Sequence, residues 1–323
     1  MKGVIVKAPA KLVITGDYSA LYNGKIITCA INKFMILKIK TTKNKKIKIT
    51  GNGFKIKVKI DNFSLDHQCN DFILEIIRYF FNETKIEMTG ISISIKSQIP
   101  VNCGIGSSSA LICSILYGLN ELFLTELTEN DIIKIATKLE TICYGKSNKI
   151  DSKTTISGGV LVLNEDNQVK RIPHSFNDIY FINTGRPRSS SKEVINMVSK
   201  NTKHMSLYND FQELANNIEQ DIKNGIDLTA QIAFNNKLLE KLGVISDKAL
   251  FFIQTLLSYN IYAKLCGYGT IANMDTNGNS GVIGIFQKIS RLQRKVLKKV
   301  SRRFGWKLKK VRVINSGIEI EYF

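Results

Sequence analysis

The sequence predicts an α+β fold, and three observations carry that prediction. Strand-like and helix-like segments follow one another in mixed order, not in strict alternation. Several strands alternate apolar residues with Lys at period two and are joined by turn residues, which is an antiparallel signal. Finally, a glycine- and serine-rich stretch, "VNCGIGSSSA" at residues 101–110, lies between a predicted strand and a predicted helix.

Residues 3–16, "GVIVKAPAKLVITG", read as two short β-branched runs separated by Ala-Pro-Ala. "KFMILKIKTT" (33–42) and "KIKITGNGFKIKVKI" (46–60) read as half-buried strands, the second folded back at an Asn-Gly turn. Phe72, Ile76, Tyr79 and Phe80 then recur at helical spacing. "ISISIK" (91–96) is an alternating strand that runs through Pro100 into the Gly-Ser loop, and "SALICSILYGLNELFL" (109–124) is a largely buried helix. Thr128 is an N-cap with Asp131 three residues on, opening a helix that ends at Gly145. Strands "GGVLVLN" (158–164) and "IYFINTG" (179–185) follow. Then come a Ser-capped helix from Ser190, a long helical region from Met205 to Leu242, and a helix ending near Leu257. The chain closes with strands "IYAKLCGYG" and "GVIGIF", a basic helix, and a hairpin-like "KVRVINSGIEIEYF" (310–323). A domain boundary near residue 175 gives units of 1–175 and 176–323.

With 323 residues, 44% of them apolar and 23% charged, the composition is that of a soluble globular protein of one large or two ordinary domains. The formal net charge of +19 favours anionic partners. The first residues lack the apolar core of a signal peptide, and no apolar run is long enough to span a membrane. The six cysteines form no C-x-x-C pair, so free thiols in a reducing cytosol are expected. Residues 291–312 hold eleven Lys or Arg, with Leu292, Val296, Val300 and Phe304 at helical spacing as the inner face. That run reads as a solvated helix face; no nucleic-acid recognition motif accompanies it.

The loop Gly104-Ile105-Gly106-Ser107-Ser108-Ser109 admits two readings. Gly and Ser turn a strand into a helix in many proteins; equally, glycines let the backbone close around an anion whose charge the first N–H groups of the helix attract. It is neither a Walker A loop nor G-x-G-x-x-G. Local features leave both readings open.

"PVNCGIGSSSA" resembles the central ATP-binding motif of the GHMP kinases, Pro-x-x-x-Gly-Leu-Gly-Ser-Ser-Ala. Three further stretches resemble that superfamily in the same order along the chain. "APAKLVITGDYSALYNG" (8–24) is similar to the N-terminal Ala-Pro-Gly-Lys…Gly-Glu-His/Tyr motif. "ETICYGKSNKIDSKTTISGGVLVL" (140–163) is similar to Glu…His-Gly-x-Pro-Ser-Gly-Ile-Asp…Gly-Gly, and "KLCGYG" (264–269) to Lys-Leu-Thr-Gly-Ala-Gly. "INTGRPRSSSKEVINMV" (182–198) resembles the Thr-Gly-x-Pro-x-Ser-Thr…Val stretch of the mevalonate kinase family. Asp151 argues against homoserine kinases, and Gly-Glu-His-Thr-Asp-Tyr of galactokinases is missing.

The resemblance implies an N-terminal domain like ribosomal protein S5 domain 2, a ferredoxin-like C-terminal domain, and a site between them. It implies a cytoplasmic, ATP- and Mg2+-dependent kinase that phosphorylates a hydroxyl of mevalonate or a related small hydroxy acid. Neither nucleic acid nor membrane is an implied partner; the quaternary state, a homodimer included, is left open. Phosphomevalonate kinase, another GHMP-type metabolite kinase, or an inactive GHMP-like binding protein are the alternatives. Carried over residue by residue, Gly104, Ile105, Gly106, Ser107, Ser108 and Ser109 would hold the ATP phosphates. Ser108 and Glu140 would bind the metal. Asp151 would accept the proton of the acceptor hydroxyl, with Lys11 beside it keeping the carboxylate ionised. Asp17, Tyr18, Thr184, Arg186 and Gly267 are the candidate substrate ligands, with Asp17 equally placed to tie down its loop. Departures from the pattern are Ser147-Asn148-Lys149 in place of Pro-Ser-Gly, expected to remove a helix-opening turn, and the insertion from Asp275 to Ser280.

Overall fold

One strand, β1 (Gly3–Thr15), replaces the two runs read from the sequence. Its Pro9 lacks an N–H, which would break a central strand. The chain absorbs it with a register shift between Pro9 and Ala10 against β2 (Ile26–Thr42), while the other neighbour, β12 (Glu319–Tyr322), pairs only with Val4 to Lys7. The computed structural model describes residues 3–323 apart from 52, 64, 66–70, 146, 177, 201–206, 273 and 275–277.

The 17 residues of β2 are long enough to serve three neighbours. β1 runs along most of its length; β5 (Gly90–Ser97) pairs with Met35 to Thr42, and β6 (Val160–Leu163) with Ile26 to Cys29. β3 (Lys46–Gly51) and β4 (Phe54–Lys59) form the hairpin, with β3 lying parallel to β5, and β7 (Val169–Ile172) pairs with β6. The result is an eight-stranded sheet whose main path is β12-β1-β2-β5-β3-β4. Helices α1 (Phe72–Thr84), α2 (Ser107–Phe123), α3 (Glu129–Tyr144) and α4 (Ile150–Ser157) pack together, with α2 and α4 against β1 and β2. Ile112, Cys113, Ile115, Leu116 and Leu119 of α2 are all buried, which explains its nearly continuous apolar sequence. α3 has the expected capping box, Thr128 with Asp131, and stops at Gly145 with φ 81°.

The second sheet contains β8 (Asp178–Gly185), β9 (Lys264–Cys266), β10 (Gly281–Ile285) and β11 (Lys307–Arg312) in the antiparallel order β11-β8-β10-β9. Helices α5 (Ser191–Lys200), α6 (Tyr208–Asn224), α7 (Thr229–Lys241) and α8 (Asp247–Leu257) connect its first two strands, and α9 (Arg291–Arg303) its last two. A first strand flanked by the fourth and third is the ferredoxin-like arrangement.

Three element readings are corrected. The helical region to Leu242 is two helices, broken where Gly225 takes φ 68°; its first two residues, Met205 and Ser206, lie outside the described ones. The closing "hairpin" is no hairpin: β11 stays in the second sheet, while β12 returns to the first beside β1. An Asn-Ser-Gly run signals a turn but not which sheet the next strand will join. On α9 the buried side is Leu297, Val300 and Ser301, while Leu292 is 71% exposed, so the apolar face is narrower than the periodicity suggested.

Candidate active site

The Gly-Ser loop leads from β5 into α2 with Gly106 as the N-cap residue, in the left-handed region at φ 78°. No side chain caps this helix and no acid lies in its first turn, so its leading N–H groups keep their partial positive charge for a ligand. Two neighbours demand the glycines. A Cβ on Gly106 would stand 2.8 Å from Lys11 Cγ, and one on Gly104 would stand 3.1 Å from Gly267 Cα of the facing loop. Ile105 is buried, and its carbonyl accepts the Lys11 N–H at 3.2 Å, tying the loop to β1. Ser107 and Ser108 are half-buried at the opening of α2; Ser109 is buried.

Lys11, whose side chain is 6% exposed, points from β1 at Asp151 in the first turn of α4, with Nζ 2.8 Å from Oδ2. The expected loss of a helix-opening turn ahead of Asp151 does not occur. Asn148 Oδ1 accepts the Ile150 N–H at 3.0 Å and supplies that turn without Pro or Gly. Ser147 takes on a second task. Its hydroxyl donates to Glu140 Oε2 at 2.8 Å, while the Ser152 hydroxyl donates to Oε1 at 2.7 Å.

Glu140 is fully buried. Burial first, and then the charge of Asp151, push its carboxyl up to about 7, against the opposing pull of the serine hydroxyls. Ser109 Oγ is close enough to contribute to that pull, although it meets no partner in full hydrogen-bond geometry. Among the described residues no basic side chain pairs with Glu140, so it is a buried carboxylate lacking a counter-cation. This donor set fits a hard divalent cation, which takes carboxylate and hydroxyl oxygen and leaves positions for phosphate and water.

Asp17 is the tether. Its side chain is 1% exposed; Oδ2 lies 2.8 Å from Lys264 Nζ, itself fully buried, and Oδ1 accepts the Gly267 N–H at 2.9 Å. The Tyr18 hydroxyl donates to the Tyr268 carbonyl. The end of β1 is thereby fastened to β9 and the loop after it, and Gly267 is pressed onto Gly104. A cavity of about 140 Å³ lies at this junction, lined by Lys11, Asp17, Tyr18, Gly104, Gly106, Asp151 and Gly267, together with Tyr144, Ser191, Ile195 and Tyr268.

Two of the sequence candidates are not brought to that cavity. Thr184 is buried, and its hydroxyl is used inside the second sheet, donating to the Gly281 carbonyl at 3.0 Å and accepting the Ser280 N–H at 2.8 Å. Arg186 is exposed and does not line the cavity. Conversely, Lys264, Ser147, Ser152 and Ser191 went unread. Lys264 stood inside a quoted motif, but a lysine in a strand reads as surface unless its partner is known.

The family model for the GHMP kinases N terminal domain matches residues 71–159. With that match and the architecture above, the protein has the GHMP kinase fold, and residues 71–159 fall in its N-terminal domain. Relatives of this chain include mevalonate kinases. That of Pyrococcus abyssi is 27% identical over 82% of this chain and 86% of the relative, and that of Archaeoglobus fulgidus 25% over 88% and 93%. The alignment with the Pyrococcus furiosus mevalonate kinase, 28% identical, covers 62% of this chain and 63% of that protein. The crystal structure of the Methanococcus jannaschii mevalonate kinase superposes with a TM-score of 0.82 at 21% identity, covering 96% of this chain and 98% of that one. No helix among the described residues is long and apolar enough to cross a membrane. Cys29, Cys103, Cys113, Cys143 and Cys266 are free; Cys69 lies outside the described residues.

Proposed function

We propose that this chain is an ATP-dependent kinase that transfers the γ-phosphoryl group of ATP to the hydroxyl of mevalonate, acting in the cytoplasm in isoprenoid precursor synthesis. The observation that carries the reading is the Lys11–Asp151 pair, held at 2.8 Å on the wall of a cavity that also contains the two loop glycines. The acceptor oxygen attacks the γ-phosphorus, its proton passes to an Asp151 carboxylate oxygen, and the bond from that phosphorus to the β–γ bridging oxygen breaks to release ADP. Lys11 orients the carboxylate and neutralises charge growing on the transferring group. The leading N–H groups of α2, with Ser107, Ser108 and Ser109, hold the phosphates of ATP.

Glu140 and the Ser108 hydroxyl would hold Mg2+, which supplies charge neutralisation to the phosphates when bound. In this reading residues 1–175 are the nucleotide-binding unit, and residues 176–323 close the acceptor side. Asp17, Tyr18 and Gly267 shape the cavity; they do not grip the acceptor through free polar atoms. The test is ADP release by the purified protein with Mg2+ and ATP against mevalonate, phosphomevalonate and sugars. Turnover of mevalonate above the others is expected; preference for phosphomevalonate or a sugar, or no turnover at all, would refute the assignment.

A further inference from the structure

We propose that the solvent face of the larger sheet, where β2, β5, β3 and β4 lie side by side, is a docking surface for an anionic lipid membrane. This inference goes beyond the kinase reading and does not depend on it.

The pairing registers put one set of side chains on that face. Lys40 of β2 lies opposite Ser92 of β5, Ser92 beside Lys48 of β3, and Lys48 opposite Lys57 of β4, in one row across four strands. The neighbouring rows add Lys38 opposite Ser94, and Lys46 opposite Lys59. Leu37, Ile39, Ile47 and Ile49, which alternate with them along the strands, are buried on the other face of the sheet, where α2 packs. The lysines themselves are exposed, apart from the half-buried Lys46. Like charges directly opposite each other repel, and here two such pairs, Lys46 with Lys59 and Lys48 with Lys57, stand side by side. Nothing nearby offsets them. The four strands contain no Asp or Glu, and among the described residues none of these lysines is in an ion pair. Lysines on an edge strand keep other strands from adding to it, which accounts for Lys57 and Lys59 of β4. Lys38, Lys40, Lys46 and Lys48 belong to interior strands and have no such use.

The face therefore fits an external anion, and its shape and chemistry choose among anionic partners. A sheet holds its ammonium groups at one level, which matches a plane of lipid headgroups better than the curved rod of a nucleic-acid duplex. The rows carry no aromatic ring on which a base could stack; Phe323, centred 5.9 Å from Lys38 Nζ, belongs to the chain end beyond β12. Every cation of the face is Lys and none is Arg, the residue that reads base edges and grips single phosphates bidentately. Ser92 and Ser94, small hydroxyls between the lysines of β2 and β3, give phosphate oxygens room and a donor. A second copy of the chain is repelled, since each copy has 46 basic and 27 acidic residues. Clusters of about four to eight cations are what an anionic membrane leaflet attracts. Ile26, which lines the catalytic cavity, is at the other end of β2 from Lys38 and Lys40, so docking leaves the cavity open.

The test is sedimentation with vesicles of phosphatidylcholine, alone or with about 30 mol% phosphatidylserine, at low salt and at about 0.5 M salt. The parent is compared with Lys40→Thr/Lys48→Thr/Lys57→Thr and with Lys295→Gln/Lys298→Gln/Arg302→Gln. Both variants lose the same charge, the second from the exposed face of α9. Threonine suits a strand, and removing the opposed lysines should leave Tm at low salt equal to the parent's or above it. The parent should bind the phosphatidylserine vesicles alone and release them at high salt. The sheet variant should bind them roughly 10- to 100-fold more weakly, and the α9 variant should bind as the parent does. Equal weakening in both variants would reduce the effect to net charge and overturn the surface, as would a parent that binds no vesicles. Duplex DNA or RNA held more tightly than the vesicles, and lost in the sheet variant, would overturn the membrane in favour of nucleic acid. A lower Tm in the sheet variant would show that the opposed lysines stabilise the sheet, and the case for an external anion would fall.

Discussion

Asp151 and Glu140 are two carboxylates in one site with different partners. Asp151 has a lysine at 2.8 Å, whereas Glu140 has only serine hydroxyls and is fully buried. Replacing Asp151 with Asn keeps its size but removes the proton acceptor. Turnover should then fall roughly 10²- to 10⁴-fold, while the thermal shift caused by MgATP stays near that of the parent, since the phosphates are held elsewhere. Parent-like turnover in that variant would eliminate Asp151 as the base. Gly106→Val tests the loop in the opposite sense. With φ at 78° and Lys11 Cγ 2.8 Å from the new Cβ, the loop must move, and the MgATP shift should vanish. Glu140 makes a pH prediction. Its folded value of about 7 lies above the ordinary carboxyl range, so between about pH 4.5 and 7 the folded state holds a proton that the unfolded state releases. Stability should therefore decline as pH rises through that window. Glu140→Gln should flatten the decline and also blunt the Mg2+ dependence of turnover; an unchanged melting-temperature profile would contradict the burial argument. Lys11, Glu140 and Asp151 were legible in the sequence because an ordered set of motifs selects them. Lys264 was not, because a lysine in a strand reads as surface until the buried Asp17 beside it is seen in three dimensions.

At the scale of elements, α6 is fixed to the first sheet through one acid. Glu219 accepts from Lys25 at 2.7 Å, where Lys25 directly precedes β2, from Lys170 on β7 at 2.8 Å, and from Lys223 one turn along its own helix at 2.7 Å. Burial alone would raise its carboxyl, but the three lysines overturn that and hold it at about 2. The sign is opposite to that of Glu140: the stabilisation is complete above the ordinary carboxyl range and is lost as pH falls from about 4.5 towards 2. Glu219→Gln should lower the melting temperature at pH 7 and bring it closer to the parent value near pH 2, as followed by circular dichroism. An equal deficit at both pH values would mean that shape, not charge, holds α6 in place. Sequence periodicity identified most of these elements, since α2, α3 and the alternating strands are amphipathic or buried in a regular way. It failed at the Pro in β1, at Gly225 and at residues 310–323, where pairing partners far along the chain decide the outcome.

For the whole molecule, the cavity lies where elements of the two sheets meet, and polar contacts, many of them buried, make that junction. The Lys264–Asp17 pair is buried at both ends, and the Asn235 side-chain amide donates to Thr15 Oγ1 at 2.6 Å. Lys264→Met leaves Asp17 buried without its partner, so it should destabilise by about 3–5 kcal/mol in urea unfolding, more than the double variant Asp17→Asn/Lys264→Met, which leaves no unpaired charge. None of this was visible in composition. The +19 charge describes the surface, whereas the junction is built from neutralised pairs. The return of β12 carries a further consequence, one of order in time. Lys7 and Glu319, joined at 2.7 Å across β1 and β12, stand 312 positions apart, so this is a very long loop closure. As the chain leaves a ribosome, nearly all of it must emerge before that edge of β1 can be covered. Until then a hydrophobic strand is open to another copy, and a fragment ending at 175 should self-associate, with a peptide of residues 314–323 relieving it.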